Sequence, residues 1–251
     1  MAAANPVGAL NWSSVPFTLP APVRGYAPGA PGCLAALSRR AGTDAIAIRR
    51  VASETTSVAA LPAGNEQFYV QYSFCETDPA AVKMVFSKTA ADFTLKNRAC
   101  TAANSLRAYV SRIYYVTDCN RCGVGGDTVP TLKRLDVVGN ALVETALAEG
   151  VEHLRVEYGF DNDGNGSADE YLTAEGAAAA VPAKDWTNVM TVKAHFITRS
   201  LNKASGSGLA TEQTFDLGGT GQLVVAADGY TRRAYTTVVR LINPSSAREI
   251  Q

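Results

Sequence analysis

The sequence predicts a mainly β protein of antiparallel sheet, and three observations predict it. Apolar residues recur at every second position over several runs, turn-forming pairs punctuate those runs, and helical periodicity is weak. Less than about a fifth of the chain is expected to be helical, against a globular average near a third.

Residues 1–32 are rich in Pro, Gly and Ala without periodicity and read as an extended, loop-like lead-in. Residues 33–251 read as one β head domain, with room for a second small sheet. Residues 45–51 form a short first strand. In residues 68–74, Phe68, Val70, Tyr72 and Phe74 fall on one face. Residues 106–116 give a longer strand, with Leu106, Ala108, Val110, Tyr114 and Val116 in phase. Residues 132–138 end at the turn pair Gly139-Asn140. Residues 151–160 place Leu154, Val156, Tyr158 and Phe160 on one side. Residues 189–198 and 233–242 complete the set, the last after an Asp228-Gly229 hairpin turn. Residues 80–86 and 141–147 could each form a helical turn or two. The Ala-rich residues 174–180, with Gly176 inside and Pro182 beyond, read as a loop insertion.

Charge excludes one class of partner. Lys plus Arg equals Asp plus Glu at 23 each, so no basic field draws in nucleic acid or anionic lipid. No apolar run approaches the ~20 residues needed to cross a bilayer. Met1-Ala2-Ala3-Ala4 lacks the charged start and apolar stretch of a signal peptide, so either a cytosolic protein or one whose export segment has been removed is expected.

The cysteines point to the compartment. Cys33, Cys75, Cys100, Cys119 and Cys122 are an odd set. The C-x-x-C spacing of Cys119 and Cys122 admits a redox site, half a zinc site or a short disulfide loop. No second C-x-x-C supplies a four-thiolate zinc site, and the motif leads into Gly-rich turns and not into a helix. The expected disulfides are Cys119–Cys122 and Cys75–Cys100, with Cys33 left over and able to compete for either partner of the second pair. Disulfides imply an oxidising compartment.

The most specific local motif runs from Asp161 to Glu170, opening D-x-D-x-N-G like a calcium loop. Asp161, Asp163 and Asn165 can turn oxygens onto one point. Gly166 permits the sharp bend, Ser167 offers its carbonyl, and Asp169 binds directly or through water. Leu172 stands where the bidentate Glu belongs, and strand patterns flank the loop in place of helices. The competing reading is a solvated hairpin tip. Both stay open, with calcium the cofactor expected.

No catalytic constellation is visible. His153 and His195, the only histidines, sit inside strand patterns, and the sequence has no nucleophile elbow, phosphate loop or H-E-x-x-H motif. Neither an enzyme nor a small-molecule substrate is expected.

An ordered series in the second half carries a family resemblance. Cys119-Asn120-Arg121-Cys122-Gly123 is followed by Val129-Pro130-Thr131-Leu132, then Glu149-Gly150-Val151 through Tyr158-Gly159 and the acidic loop. Asp185-Trp186-Thr187-Asn188-Val189 and Arg232-Arg233-Ala234-Tyr235 close it. The series resembles the C-terminal region of PilW-type minor pilins of type IV pili over residues 106–243. The resemblance implies an α+β pilin-like head whose apolar N-terminal helix has been truncated, with Met1 an introduced start. It implies a non-catalytic subunit that joins other minor pilins, primes filament assembly and sits at the tip, where it supports an adhesin. Adhesion, twitching motility and DNA uptake would follow from assembly. The lost helix would anchor the subunit in the inner membrane, facing the periplasm, before it moves to the cell surface. Two alternatives remain: a J-type pseudopilin of type II secretion, or a free-standing calcium-dependent adhesin or carbohydrate-binding β domain.

Overall fold

The computed structural model describes residues 20–30, 34, 37–79, 82–138, 141–204, 212–225 and 227–249. Cys33, the 139–140 turn, residues 80–81 and most of the expected lead-in lie outside them. Antiparallel sheet dominates, and helix makes up 12% of the chain, below the expected fifth. Among the described residues no helix is long and apolar enough to cross a membrane.

The chain divides into two compact units. The smaller takes residues 48–112 and 136–143; the larger takes 21–47, 113–135 and those from 144 on. Strands β2 (Ala45–Val51), β5 (Arg107–Thr117), β6 (Thr131–Val138) and β7 (Ala141–Glu149) contribute residues to both.

In the smaller unit β3 (Tyr69–Tyr72) pairs with β4 (Met84–Ser87), and its first residues pair with the start of β5. Val70, Phe86 and Tyr109 form its core, with the Phe86 and Tyr109 rings edge to face at 5.0 Å between centroids. The expected helical turn at 80–86 is therefore replaced by strand from Met84. Its alternation against β3 buries Phe86, which a helix there would not achieve.

The larger unit holds a four-stranded sheet in the order β13-β10-β8-β9. Its members are β8 (Val151–Phe160), β9 (Glu170–Thr173), β10 (Val189–Arg199) and β13 (Arg232–Arg240). Leu154, Val156, Tyr158 and Phe160 meet Trp186, Val189 and Val192 in the main core. Among the described residues β11 (Gln213–Asp216) pairs only with β12 (Gln222–Val225), so Asp228-Gly229 does not close a hairpin onto β13, whose partner is β10. A strand, β1 (Val23–Tyr26), lies within the expected lead-in. It buries Val23 and Tyr26, and a Cβ on its Gly25 would come 2.4 Å from the Tyr158 ring.

Two further expectations give way. Residues 141–147 belong to β7, because pairing with β6 outweighs the helix preference of an Ala-rich stretch. Residues expected to loop form α1 (Ala174–Ala179). Thr173 caps it by accepting from Gly176 N at 3.1 Å, and Ala174 and Ala177 pack into the core. The chain described ends in α2 (Ile242–Glu249).

Candidate metal centre in the larger unit

The acidic motif joins β8 to β9, whose register pairs Phe160 with Glu170; Asp169 N donating to Phe160 O at 2.8 Å closes the turn. Inside it each acid folds back on the backbone, as short polar side chains do in turns. Asp161 Oδ1 accepts from Gly164 N at 2.7 Å and Oδ2 from Gly166 N at 2.9 Å. Asp163 accepts from Asn165 N at 3.1 Å, and Asn165 Oδ1 from Ser167 N at 2.7 Å. Asp169 Oδ2 accepts from Asn162 N at 2.7 Å. Gly164 and Gly166 sit at φ of 84° and 85°, the left-handed region that the bend requires.

This folding brings Asp161, Asp163 and Asp169 together, with one oxygen from each within 4.8 Å of the others. Asp161 is buried; Asp163 and Asp169 are exposed. The oxygens are hard donors suited to calcium, and each ionised carboxylate has about four lone-pair sites, so backbone bonds leave capacity. Glu170 is engaged elsewhere. It accepts from Lys184 Nζ and, at 2.8 Å, from Asn162 Nδ2.

A resident cation that no sequence motif marks also reaches the loop. Arg248 on α2 sets Nη1 2.8 Å from Asp161 Oδ2 and Nη2 2.6 Å from Asn188 Oδ1. Ser245 Oγ donates to Gly166 O at 2.6 Å, tying the same helix to the bend. Burial alone would raise the Asp161 carboxyl. The Arg248 hydrogen bond and the Gly166 and Gly164 amides overcome it and hold the group down to about 2.

Elsewhere in the unit the buried Glu152 is paired twice. Glu152 accepts from Arg232 Nε at 2.6 Å and from Arg40 Nη2 at 3.1 Å, and Arg232 also pairs with Asp228 at 2.6 Å. His153 lies beside this cluster. Burial, aided by Arg40, lowers it to about 4, so it is neutral at physiological pH. His195 belongs to a different group, with Nε2 2.8 Å from Glu157 Oε1 and Nδ1 2.9 Å from Thr236 Oγ1. Gly218 and Gly219 cover Glu157 so closely that a Cβ on either would approach its oxygens to 2.7 or 2.6 Å. His195 thus serves a structural pairing with Glu157 and Thr236, and His153 lies in a different group of charges.

Cys75 is bonded to Cys100 in the smaller unit and Cys119 to Cys122 in the larger. Residues 113–243, just over half of the chain, match the family described as Type IV Pilus-assembly protein W. Neither a curated protein nor a solved structure matches the chain.

Proposed function

The chain belongs to the type IV pilus-assembly protein W family, and from that premise we propose that it is a minor pilin. In this reading it joins other minor pilins in priming a type IV pilus, takes part in the tip complex and supports an adhesin there. Adhesion and twitching motility depend on it through assembly. It acts outside the cytoplasm, first on the periplasmic side of the inner membrane and then at the cell surface.

The family match over residues 113–243 carries this reading, since it spans the whole four-stranded sheet. The edge strand β13 supports it. Tyr235, Val238 and Val239 are 52 to 56% exposed, and side chains on both strand faces are open. An open edge with apolar side chains suits lateral protein contacts and is a hazard for a subunit that stays alone. Deleting the gene is expected to reduce surface pili and motility. A deletion strain with normal pili overturns the proposal.

The acidic loop is proposed to hold calcium through Asp161, Asp163, Asn165 and Asp169, with the Ser167 carbonyl. Convergence of the three carboxylates supports this, and Arg248 opposes it by already neutralising Asp161. Affinity is therefore expected in the weak range of extracellular modules, about 10⁻⁴–10⁻³ M. Calorimetry should show binding heat that Asp163→Ala abolishes. No heat from the unaltered protein at millimolar calcium leaves a solvated turn.

A further inference from the structure

Lys133 on β6 is buried, and its ammonium faces the short disulfide: Nζ lies 3.6 Å from Cys122 Sγ. Glu144 Oε1, 2.6 Å away, is its other partner, and Glu144 also accepts from Tyr115 Oη. Of the two sulfur-bearing residues, Cys119 is buried and Cys122 is exposed. The surrounding loop is held by contacts that do not involve sulfur. Asp127 accepts from Asn120 N at 2.7 Å, Arg121 N at 3.0 Å and Val129 N at 3.1 Å. Asp127 N in turn donates to Arg121 O at 2.9 Å.

We infer that the Cys119–Cys122 bond is a thiol-exchange site, opened by dithiol reductants and re-closed by disulfide oxidants, and more than a structural tie. A thiolate of the dithiol attacks Sγ of Cys122, the exposed one of the two residues. The bond to Cys119 breaks, and Cys119 leaves with the electron pair and takes a proton from solvent. The second thiol of the reductant gives its proton to solvent and attacks its own sulfur in the mixed disulfide. Cys122 then leaves as a thiolate beside Lys133 Nζ. Two electrons have passed to the protein, and the reductant has become a disulfide. Access to Cys122 governs the rate, while the neighbouring ammonium favours the reduced side of the equilibrium. Asp127 keeps the two cysteines within reach of one another, so re-closure is intramolecular.

The Cys75–Cys100 bond is an internal control. Cys75 is buried and Cys100 half-buried, against the exposed Cys122; Cys75 Sγ lies 3.0 Å from the Thr77 hydroxyl, and Lys83 Nζ is placed on the Cys75 carbonyl. The test poises the intact protein in dithiothreitol redox buffers, alkylates it and maps each cysteine by mass spectrometry. Cys119–Cys122 is expected to be half reduced at a ratio of reduced to oxidised buffer at least tenfold below that needed for Cys75–Cys100. Lys133→Met should move its midpoint at least tenfold toward the disulfide, about 30 mV, and Lys133→Arg should restore it. Glu144→Gln, which removes the carboxylate competing for the ammonium, should move it toward the dithiol. That variant decides the matter if Lys133→Met does not fold. Joint opening of both bonds, or a midpoint indifferent to folded variants at 133 and 144, overturns the inference.

Discussion

Asp44 and Asp161 lie in the same unit and are each 1% exposed, yet their carboxyls move in opposite directions. Asp44 is pushed up to about 6, chiefly by burial; Asp161 is held down to about 2. The donors differ. Asp44 Oδ2 accepts one amide, Val156 N at 2.7 Å. Arg155 Nη1 stands 3.1 Å from Oδ1 without hydrogen-bond alignment, and Glu175 adds a like charge nearby. Asp161 has two amides and an aligned guanidinium. Burial sets the cost of a charge, and the number of aligned donors decides whether the charge survives it.

The sharpest break of this contrast is Asp161→Ala. It leaves the Gly164 and Gly166 amides and the Arg248 guanidinium without their acceptor, and is expected to cost about 3 kcal/mol in urea unfolding. A cost below about 1 kcal/mol would mean that the loop is stable without its buried acid. Arg248→Ala should follow at about 1.5–2 kcal/mol. Combined with Asp161→Ala it should cost less than the sum, because the two residues share one interaction. Additive effects would detach α2 from the loop.

Acidity separates the two groups in one measurement. Asp161 is depressed below its unfolded value, so its stabilisation is present above about pH 4 and lost as pH falls toward 2. Asp44 is raised, so its contribution is complete below about pH 4 and lost as pH climbs through about 6. Unfolding free energy followed from pH 2 to 8 should lose part of its acid limb in Asp161→Asn, and in Asp44→Asn it should rise more steeply between pH 4 and 6, where the depressed His153 opposes Asp44 in the unaltered protein. The smallest effect is Asp44→Asn at pH 5, within about 1 kcal/mol, because below its titration near 6 the carboxyl is protonated and the amide resembles that form. A large loss there would show that Asp44 works as a charge.

How much of this could be read in the sequence follows the same division between local and distant causes. Alternation exposed β8 and β10, since each presents its apolar residues to one core. The acid loop was legible as D-x-D-x-N-G because its bonds span five residues or fewer from Asp161. Arg248 and Asn188 left no signal, for nothing near them in sequence marks where they dock. β7, expected as helical turns, and α1, expected as loop, each took another state because both are Ala-rich, and what they pack against decides which forms. Asp44 reads as an ordinary turn residue until Leu154 and Val156 are laid beside it.

Gly25 and Tyr158 have a consequence for descent. The ring occupies the space that any side chain at 25 would need. A lineage that gains even a methyl group at 25 must therefore surrender the aromatic at 158, or shift β1 away from it. Substitutions at these two positions should arrive together among this protein's relatives, and a pedigree holding both a bulky residue at 25 and an aromatic at 158 would record a strand that has moved.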